Sequence, residues 1–490
     1  MYPTLLGLAL LPLSIASATR PVRLLQLALV AAIFEAGAAI VIGGFGLQPP
    51  LVPGLTFLIY VVMQYALGMR YPGEVRVFAT LTPLLLLLGY VLFSIAVLPD
   101  AFAGKVLVIP QKPDPLAIGT LLPLTYTSGN MTQTLYLAQN VMVTVFAALF
   151  LTRVGVPYHK VIGAYLLSGY LEVFISLWQF ASRTAGVPFP DDIIYSNPGL
   201  SIVSQAIGDV PRIQGSFPEP AALAVYLIGV CFCCAWLVAH GYRTMRPDLL
   251  LGLAVIVMLL STSTTGLVSL FVGLPLVMAF AVVRGDRWVR MRLQRLATLL
   301  LVGGALALGP IFVLKPDLFN QVEIVVEGTL SKQDSDSYRE RTAFDEAALA
   351  TVAETYGLGV GWGSFRPSSL IPGLLANGGV FGVAMLLWLG VRITRLSRRV
   401  ATKCRYHPGG ALVSGFSAAL CGQVTAAVLS APTITSTAFF LQLGCLVGTA
   451  ARMELEIARS GINLHANHHA NNLERLRQAR PFGKLSGRAH

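Results

Sequence analysis

The chain has 490 residues, 55% of them apolar and only 12% charged. Soluble domains carry about 25% charged residues, so a string of ordinary water-soluble domains is excluded and a bilayer is the organising medium. The formal net charge of +12 would suggest nucleic acid on a soluble protein; on a membrane protein the placement of the charges decides its meaning.

Apolar runs of bilayer-crossing length number about twelve to thirteen. In chain order they fall near 4–18, 24–46, 51–69, 77–98, 132–151, 161–182, 220–239, 248–262, 265–283, 296–314, 371–391, 410–430 and 432–450. The pairs 248–262/265–283 and 410–430/432–450 read as tight helical hairpins, turned by STSTTG and APTITS. The expected fold class is therefore an all-α polytopic membrane protein. A single transmembrane domain occupies 1–450, and a basic, partly disordered tail follows at 451–490. The tail's HANHH run is read as solvated sequence held near anionic lipid. ASA at 16–18 resembles a signal-peptide cleavage site, but a basic start is missing and cleavage would strand Arg20 and Arg23 outside. The first span is expected to stay. Cys231, Cys233 and Cys234 share one apolar run, so neither a disulfide framework nor a metal site is expected.

The connections between spans alternate in charge. One set, from TRPVR (19–23) through RITRLSRRVATKCRYH (392–407) to the tail, holds 26 of the 35 Lys and Arg, and the other holds 9. The positive-inside bias assigns the rich set to the cytoplasm, the N-terminus to the periplasm and the C-terminus to the cytoplasm. The net charge is thus a topology signal, and no nucleic-acid partner is expected.

The long polar loops, 99–131, 183–218 and 315–370, all fall on the outer face. Within 315–370 the stretch TAFDEAALATVAETY reads as an amphipathic helix with Phe344, Ala348, Val352 and Tyr356 on one face and Gly357 as its C-cap. GLGVGWGSFRPSSLIPGLLANGG (357–379) follows. It lacks the Lys-Ser/Thr ending of a P-loop and any surrounding βαβ unit, and nucleotides are cytoplasmic. Yet Arg366 ends its glycine run, Arg339 and Arg341 open the same loop, and Arg212 opens PRIQGSFPEP ahead of another span. Arginine forks onto phosphate oxygens. Either these arginines pair with Asp334, Asp336, Glu340, Asp345 and Glu346, or together they meet a phosphate-bearing lipid at the membrane surface. Glu35 and Glu172 lie inside predicted spans. They are either proton or cation sites or structural carboxylates paired with residues such as Tyr165 or Ser168.

Three blocks carry a family resemblance: RIQGSFPEPAALA (212–224), LLSTSTTGLVSL (259–270) and ERTAFDEAALATVAETYGLGVGWGSFRPSSLIPGLLANGGVFG (340–382). Together and in this order they resemble the O-antigen ligase and polysaccharide polymerase superfamily of bacterial inner-membrane glycosyltransferases. The resemblance spans roughly 120–450. It implies a GT-C-like helical fold with a large extracytoplasmic loop and a metal-independent transferase without cofactor. The implied substrates are a polyprenyl-diphosphate-linked oligosaccharide and the growing glycan. Membrane lipids surround the chain, and a chain-length regulator or export proteins are further partner classes. Ligases of the family carry a histidine near the start of the helix after the large loop, where this chain has Ser368 or Ser369, and 315–370 contains no histidine. The expected activity is therefore polymerisation of repeat units. Transfer of the glycan to an acceptor (ligase) and flipping of lipid-linked sugars are the alternatives.

The mechanism the resemblance implies is attack by an acceptor hydroxyl on the anomeric carbon, with polyprenyl diphosphate leaving. Arg212, Arg341 and Arg366 are assigned to the diphosphate, with Arg339 in support. Gly361, Gly363 and Ser364 are expected to offer it close backbone N–H groups, and Ser368 is a further candidate for substrate binding. Glu219 is the candidate base, set against a purely helix-capping role. Asp191 and Asp192 are candidates for acceptor-sugar binding.

Overall fold

The computed structural model describes residues 1–43, 45–111, 120–198, 206–207, 210–284, 287–298, 336–404, 407–430 and 436–460. The described chain is mostly helical, and eight helices are long and apolar enough to cross a membrane: Glu74–Ala101, Ser128–Leu151, Tyr158–Ala185, Pro220–Ala239, Thr264–Val283, Leu370–Lys403, Pro408–Leu429 and Thr437–Arg459. Four shorter apolar helices, Leu5–Ala16, Pro21–Ala31, Leu51–Ala66 and Pro247–Leu260, accompany them. This is the architecture of a multi-pass membrane protein.

In chain order the elements are α1 (Leu5–Ala16), α2 (Pro21–Ala31), α3 (Leu51–Ala66), α4 (Glu74–Ala101), α5 (Ser128–Leu151), α6 (Tyr158–Ala185), α7 (Asp191–Ile194), α8 (Pro220–Ala239) and α9 (Pro247–Leu260). A broken arm follows: α10 (Thr264–Val268), a π-turn at Ser269–Gly273 and α11 (Leu274–Arg284). A helical stretch at 287–298 comes next. The last four helices are α12 (Asp336–Glu354), α13 (Leu370–Lys403), α14 (Pro408–Ser430) and α15 (Thr437–Ser460). Proline opens α2, α8 and α9, at the position where its missing N–H breaks no intrahelical bond.

The most enclosed helices are α8 and α15, with 72% and 83% of their apolar windows buried. α8 lies against α14 and α9, and α15 lies against α5. The α15–α5 contact is close because Gly444 and Gly448 present bare backbone to the Thr144 and Ala148 turns of α5, the small-xxx-small spacing that lets membrane helices approach.

Several expected spans are corrected. The run 24–46 is not one helix: α2 stops at Ala31, and the chain then forms a hairpin of β2 (Ile40–Ile42) and β3 (Phe45–Leu47), with β1 (Tyr2–Pro3) pairing to β2. β-Branched Ile40-Val41-Ile42 and a left-handed Gly43 favour this over helix. The non-helical link between α2 and β2 is paired through Ala36 N–H to Ser216 O (3.0 Å) and Asn197 N–H to Ala36 O (3.2 Å), as such backbone within a membrane protein requires. The runs 4–18, 51–69 and 248–262 are helical over only 12, 16 and 14 residues. Most of the expected span 296–314, the body of the APTITS turn and the tail beyond 460 lie outside the described residues.

α12 is helical as expected, but its end differs. The helix stops at Glu354, Tyr356 takes the left-handed conformation (φ 53°), and Gly357 N–H closes onto Val352 O at 2.8 Å. This is a Schellman-type end with Tyr356 in the position usually given to glycine. Tyr356 consequently leaves the apolar face and is 88% exposed, while Ala348 is fully buried. A small second core seats the helix: Phe344 and Ala348 meet Val106, Val108, Ile109, Leu124, Val360 and Phe365.

Candidate functional site

α6 finishes and α8 starts at the same end of the bundle, and residues 212–219 cross between them. Along α6, Glu172, Ser176, Gln179 and Arg183 recur at helical spacing, so they form one polar stripe down a membrane-spanning helix. Three of the four rungs hold the crossing segment, and Ser176 supports Glu172. Arg183 Nη1 donates to Arg212 O. Gln179 Oε1 accepts from Gln214 N–H at 2.9 Å and Gly215 N–H at 3.0 Å. Glu172 Oε1 accepts from Ser216 N–H at 3.1 Å and from Ser176 Oγ at 3.1 Å, while the Ser216 hydroxyl contacts Glu172 Oε2. Ser216 Oγ also donates to Ile33 O at 2.8 Å, tying in the chain just after α2.

Gly215 shows why the sequence must fold this way. Its φ is +58°, and a Cβ there would run into Glu172 Oε1 and Ser176 Oγ. Both the backbone and the close approach require glycine. Glu172 thus bonds to serines, as one reading of the sequence expected, but the partners are Ser176 and Ser216. Ser168 instead pairs with Tyr226 at 2.8 Å. Glu35 is tied to Ser436.

Held in this way, Arg212 sits half-buried within electrostatic range of Arg341 of α12 and of Glu219. Burial lowers the proton affinity of its guanidinium, the neighbouring Arg341 charge lowers it further, and Glu219 raises it. Arginine stays charged through such shifts, so two like charges and one carboxylate feel one another's fields here. Glu219 occupies the N-cap position of α8, but its side chain makes no cap hydrogen bond and is exposed. The carboxylate is therefore not committed to capping.

Arg183 is a member of this cluster that the sequence reading missed. Its signal was the stripe of polar residues at helical intervals within an apolar span. It also faces Tyr195, whose phenol is pushed up by burial, drawn down by Arg183 and pushed up again by Asp191. Tyr195 OH donates to Gly215 O at 2.7 Å. Asp191 and Asp192 are exposed on the single turn of α7, Asp191 within electrostatic range of Tyr195.

The glycine run turns out differently. Residues 359–365 are buried and thread between α4, α5 and α13. Gly361 lies against Ser94 and Pro99 of α4, and Gly363 lies against Gly129 and Asn130 of α5. The Ser364 hydroxyl donates to Val360 O at 3.0 Å and accepts from Asn130 Nδ2 at 2.7 Å. Asn377 brackets Phe365, accepting its N–H at 3.0 Å and donating to its carbonyl at 2.9 Å. These contacts correct the expectation of a phosphate cradle: Gly361, Gly363 and Ser364 face protein. Only at Arg366, exposed and anchored by its N–H to Ile109 O at 2.8 Å, does the segment surface.

Ser368 and Ser369 belong to the start of α13. Their N–H groups donate to Asp345 Oδ1 at 2.8 and 3.1 Å, and the Ser369 hydroxyl donates to Asp345 Oδ2 at 2.6 Å. Asp345 of α12 thus caps α13 from outside. Of the acids that could have neutralised the arginines, Asp345 is engaged here, Asp334 lies outside the described residues, and no ion pair to Arg339, Arg341 or Arg366 is found among the described residues. Arg339 is exposed near the start of α12. No protein-family model matches the chain, and no curated protein matches it.

Proposed function

We propose that the chain is a polymerase that joins polyprenyl-diphosphate-linked oligosaccharide repeat units, with its catalytic face on the outer side of a bacterial inner membrane. The observation that carries the reading is the convergence of Arg212 and Arg341 beside the uncommitted carboxylate of Glu219 at one end of a membrane-embedded bundle. Two arginines held close together are stabilised when a polyanion bridges them. A diphosphate leaving group needs charge stabilisation more than a proton, so donors placed where negative charge develops supply the larger part of the acceleration. Arg212 and Arg341 take the diphosphate, with Arg366 and Arg339 on the approach. Glu219 accepts the proton of the attacking hydroxyl while the sugar passes through an oxocarbenium-like state. Asp191 and Asp192 offer hydrogen-bonding groups for acceptor sugar, and Ser368 positions the start of α13. On this reading the fold is GT-C-like, α12 belongs to a large periplasmic loop, the N-terminus is periplasmic and the C-terminus cytoplasmic.

The test is purified protein in nanodiscs with lipid-linked repeat units and neither nucleotide sugar nor ATP. Lengthened lipid-linked glycan supports the polymerase. Glycan moved only onto a non-repeat acceptor replaces it with a ligase. Translocation of lipid-linked sugar in liposomes without any new bond replaces it with a flippase.

A further inference from the structure

We infer that Glu172 is the positioning residue of this site: its buried carboxyl group fixes the 212–216 segment and thereby the place of the Arg212 guanidinium. The inference rests on the proposed transferase reading for its activity arm alone, and its structural arm stands without it.

Glu172 lies in the middle of a membrane-spanning helix and is fully buried. Such a carboxyl is expensive and demands an explanation. A salt bridge is not the explanation, since no ion pair to Glu172 is found among the described residues. A carboxylate in a transport path would need contact with water, and this one has no exposed surface. What it does have is a complete set of local bonds joining three separate parts of the chain. On α6 it bonds Ser176, on the crossing segment it bonds both the N–H and the hydroxyl of Ser216, and through that hydroxyl it reaches Ile33 O. The return contact, Ala36 N–H to Ser216 O, closes the tie from the other side.

The crossing segment is shaped around this group. Gly215 adopts a left-handed turn against the carboxyl oxygen, at a point where no side chain fits. Three residues separate Ser216 from Arg212, and in between Gln179 grips two consecutive N–H groups while Arg183 grips the Arg212 carbonyl. The stripe thus fixes the backbone on which the Arg212 guanidinium is mounted. Diphosphate binding depends on such placement, because a displacement of about 1 Å in a catalytic group costs on the order of 10²-fold in rate.

The hydrogen count predicts which replacement works. The Ser216 hydroxyl has one hydrogen and faces two acceptors, Ile33 O and Glu172 Oε2. A glutamine keeps both contacts: its N–H donates to Ser216 Oγ, which then gives its own hydrogen to Ile33, and its carbonyl oxygen keeps the Ser216 N–H and Ser176. Positioning therefore requires the shape of the group, whereas proton transport or general-base chemistry would require an ionisable carboxyl.

The experiment compares Glu172→Gln, Glu172→Leu and wild type in nanodiscs by amide hydrogen exchange over 212–217 and by elongation of lipid-linked repeat units. Glu172→Gln is expected to keep exchange protection and to stay within about threefold of wild-type kcat/KM. Glu172→Leu is expected to exchange at least tenfold faster at Gln214–Ser216 and to lose kcat/KM at least tenfold, mainly in kcat. Two results overturn the inference: unchanged exchange in Glu172→Leu, or a Glu172→Gln protein that keeps its exchange protection and is as inactive as Glu172→Leu. Should wild type itself fail to elongate, the transferase reading falls while the exchange comparison still decides the positioning role. If Glu172→Leu does not assemble, Ser216→Ala takes its place, with the same acceleration expected and its absence equally fatal.

Discussion

Two segments of this bundle, 212–219 and 357–366, share a Gly-Ser-Phe step and an arginine and are opposite in use. In the first, polar side chains of a membrane helix hold a single left-handed glycine, and the result is an arginine within electrostatic range of another arginine and of an exposed carboxylate. In the second, glycines let the backbone slide between three helices, and nearly everything from Gly359 to Phe365 is buried. Glycine removes a side chain in both cases. What occupies the vacated space decides the outcome: a carboxyl group that fixes the crossing segment in one, neighbouring backbone in the other.

The sharpest way to break this contrast is to remove charge from the first segment. Arg212→Ala and Arg341→Ala are each expected to lower elongation by about 10²–10³, the magnitude of a lost oxyanion donor, with little change in melting temperature. Arg212→Lys should recover only part of the rate, because an ammonium cannot fork onto two phosphate oxygens. Near-normal elongation by Arg341→Ala protein of normal abundance would remove the arginine pair from the mechanism. Arg366→Ala belongs to the same series and tests whether the surfaced end of the second segment shares the substrate.

The second segment should respond in stability. Gly359 has φ +83°, and a Cβ there would come within 2.7 Å of Ala376 O. Gly359→Ala is expected to cost about 2–3 kcal/mol, combining left-handed strain with overpacking. It would appear as a lower melting temperature and lower yield, with surviving protein retaining its turnover. Normal stability together with lost turnover would return the glycine run to the active site.

How far each segment was legible follows from the same physics. Hydropathy located helices such as Pro220–Ala239 almost to the residue, because backbone crossing a bilayer satisfies its polar groups by being helical over that length. It failed across 24–46, where an apolar run is compatible with helix or hairpin and only the glycines and Ile40-Val41-Ile42 indicate the hairpin. Arg212, Glu219 and Arg341 were chosen as candidates from charge and topology, and the electrostatic coupling among them arises from tertiary packing that no local pattern reveals. The 172–176–179–183 stripe was visible in principle, since polar residues at helical spacing within an apolar span must face a partner. The glycine run was misread because glycine beside backbone and glycine beside phosphate look alike in one dimension.

Asp345 gives a smaller test of the second segment's frame. Its carboxylate makes three bonds to Ser368 and Ser369, and the N-cap Ser369 makes no side-chain cap bond of its own. Asp345→Ala should cost about 1–2 kcal/mol and speed hydrogen exchange in the first turn of α13, while Asp345→Asn keeps part of the cap. An unshifted melting temperature would mean that α12 contributes nothing to holding that helix.

The smallest expected effect is a gain. Tyr356 is a non-glycine residue at φ 53° and 88% exposed, so it carries left-handed strain of roughly 1–2 kcal/mol and buries little surface in return. Replacing it by glycine relieves that strain, and the greater freedom of glycine in the unfolded chain cancels part of the relief. Tyr356→Gly should therefore stabilise the protein by about 0.5–1 kcal/mol in thermal unfolding and leave elongation unchanged if the exposed ring has no partner. A stabilised protein with weakened elongation would instead identify the ring as a contact for glycan. It would extend the functional surface of the first segment onto the far end of α12, where the present contrast places only a helix terminus.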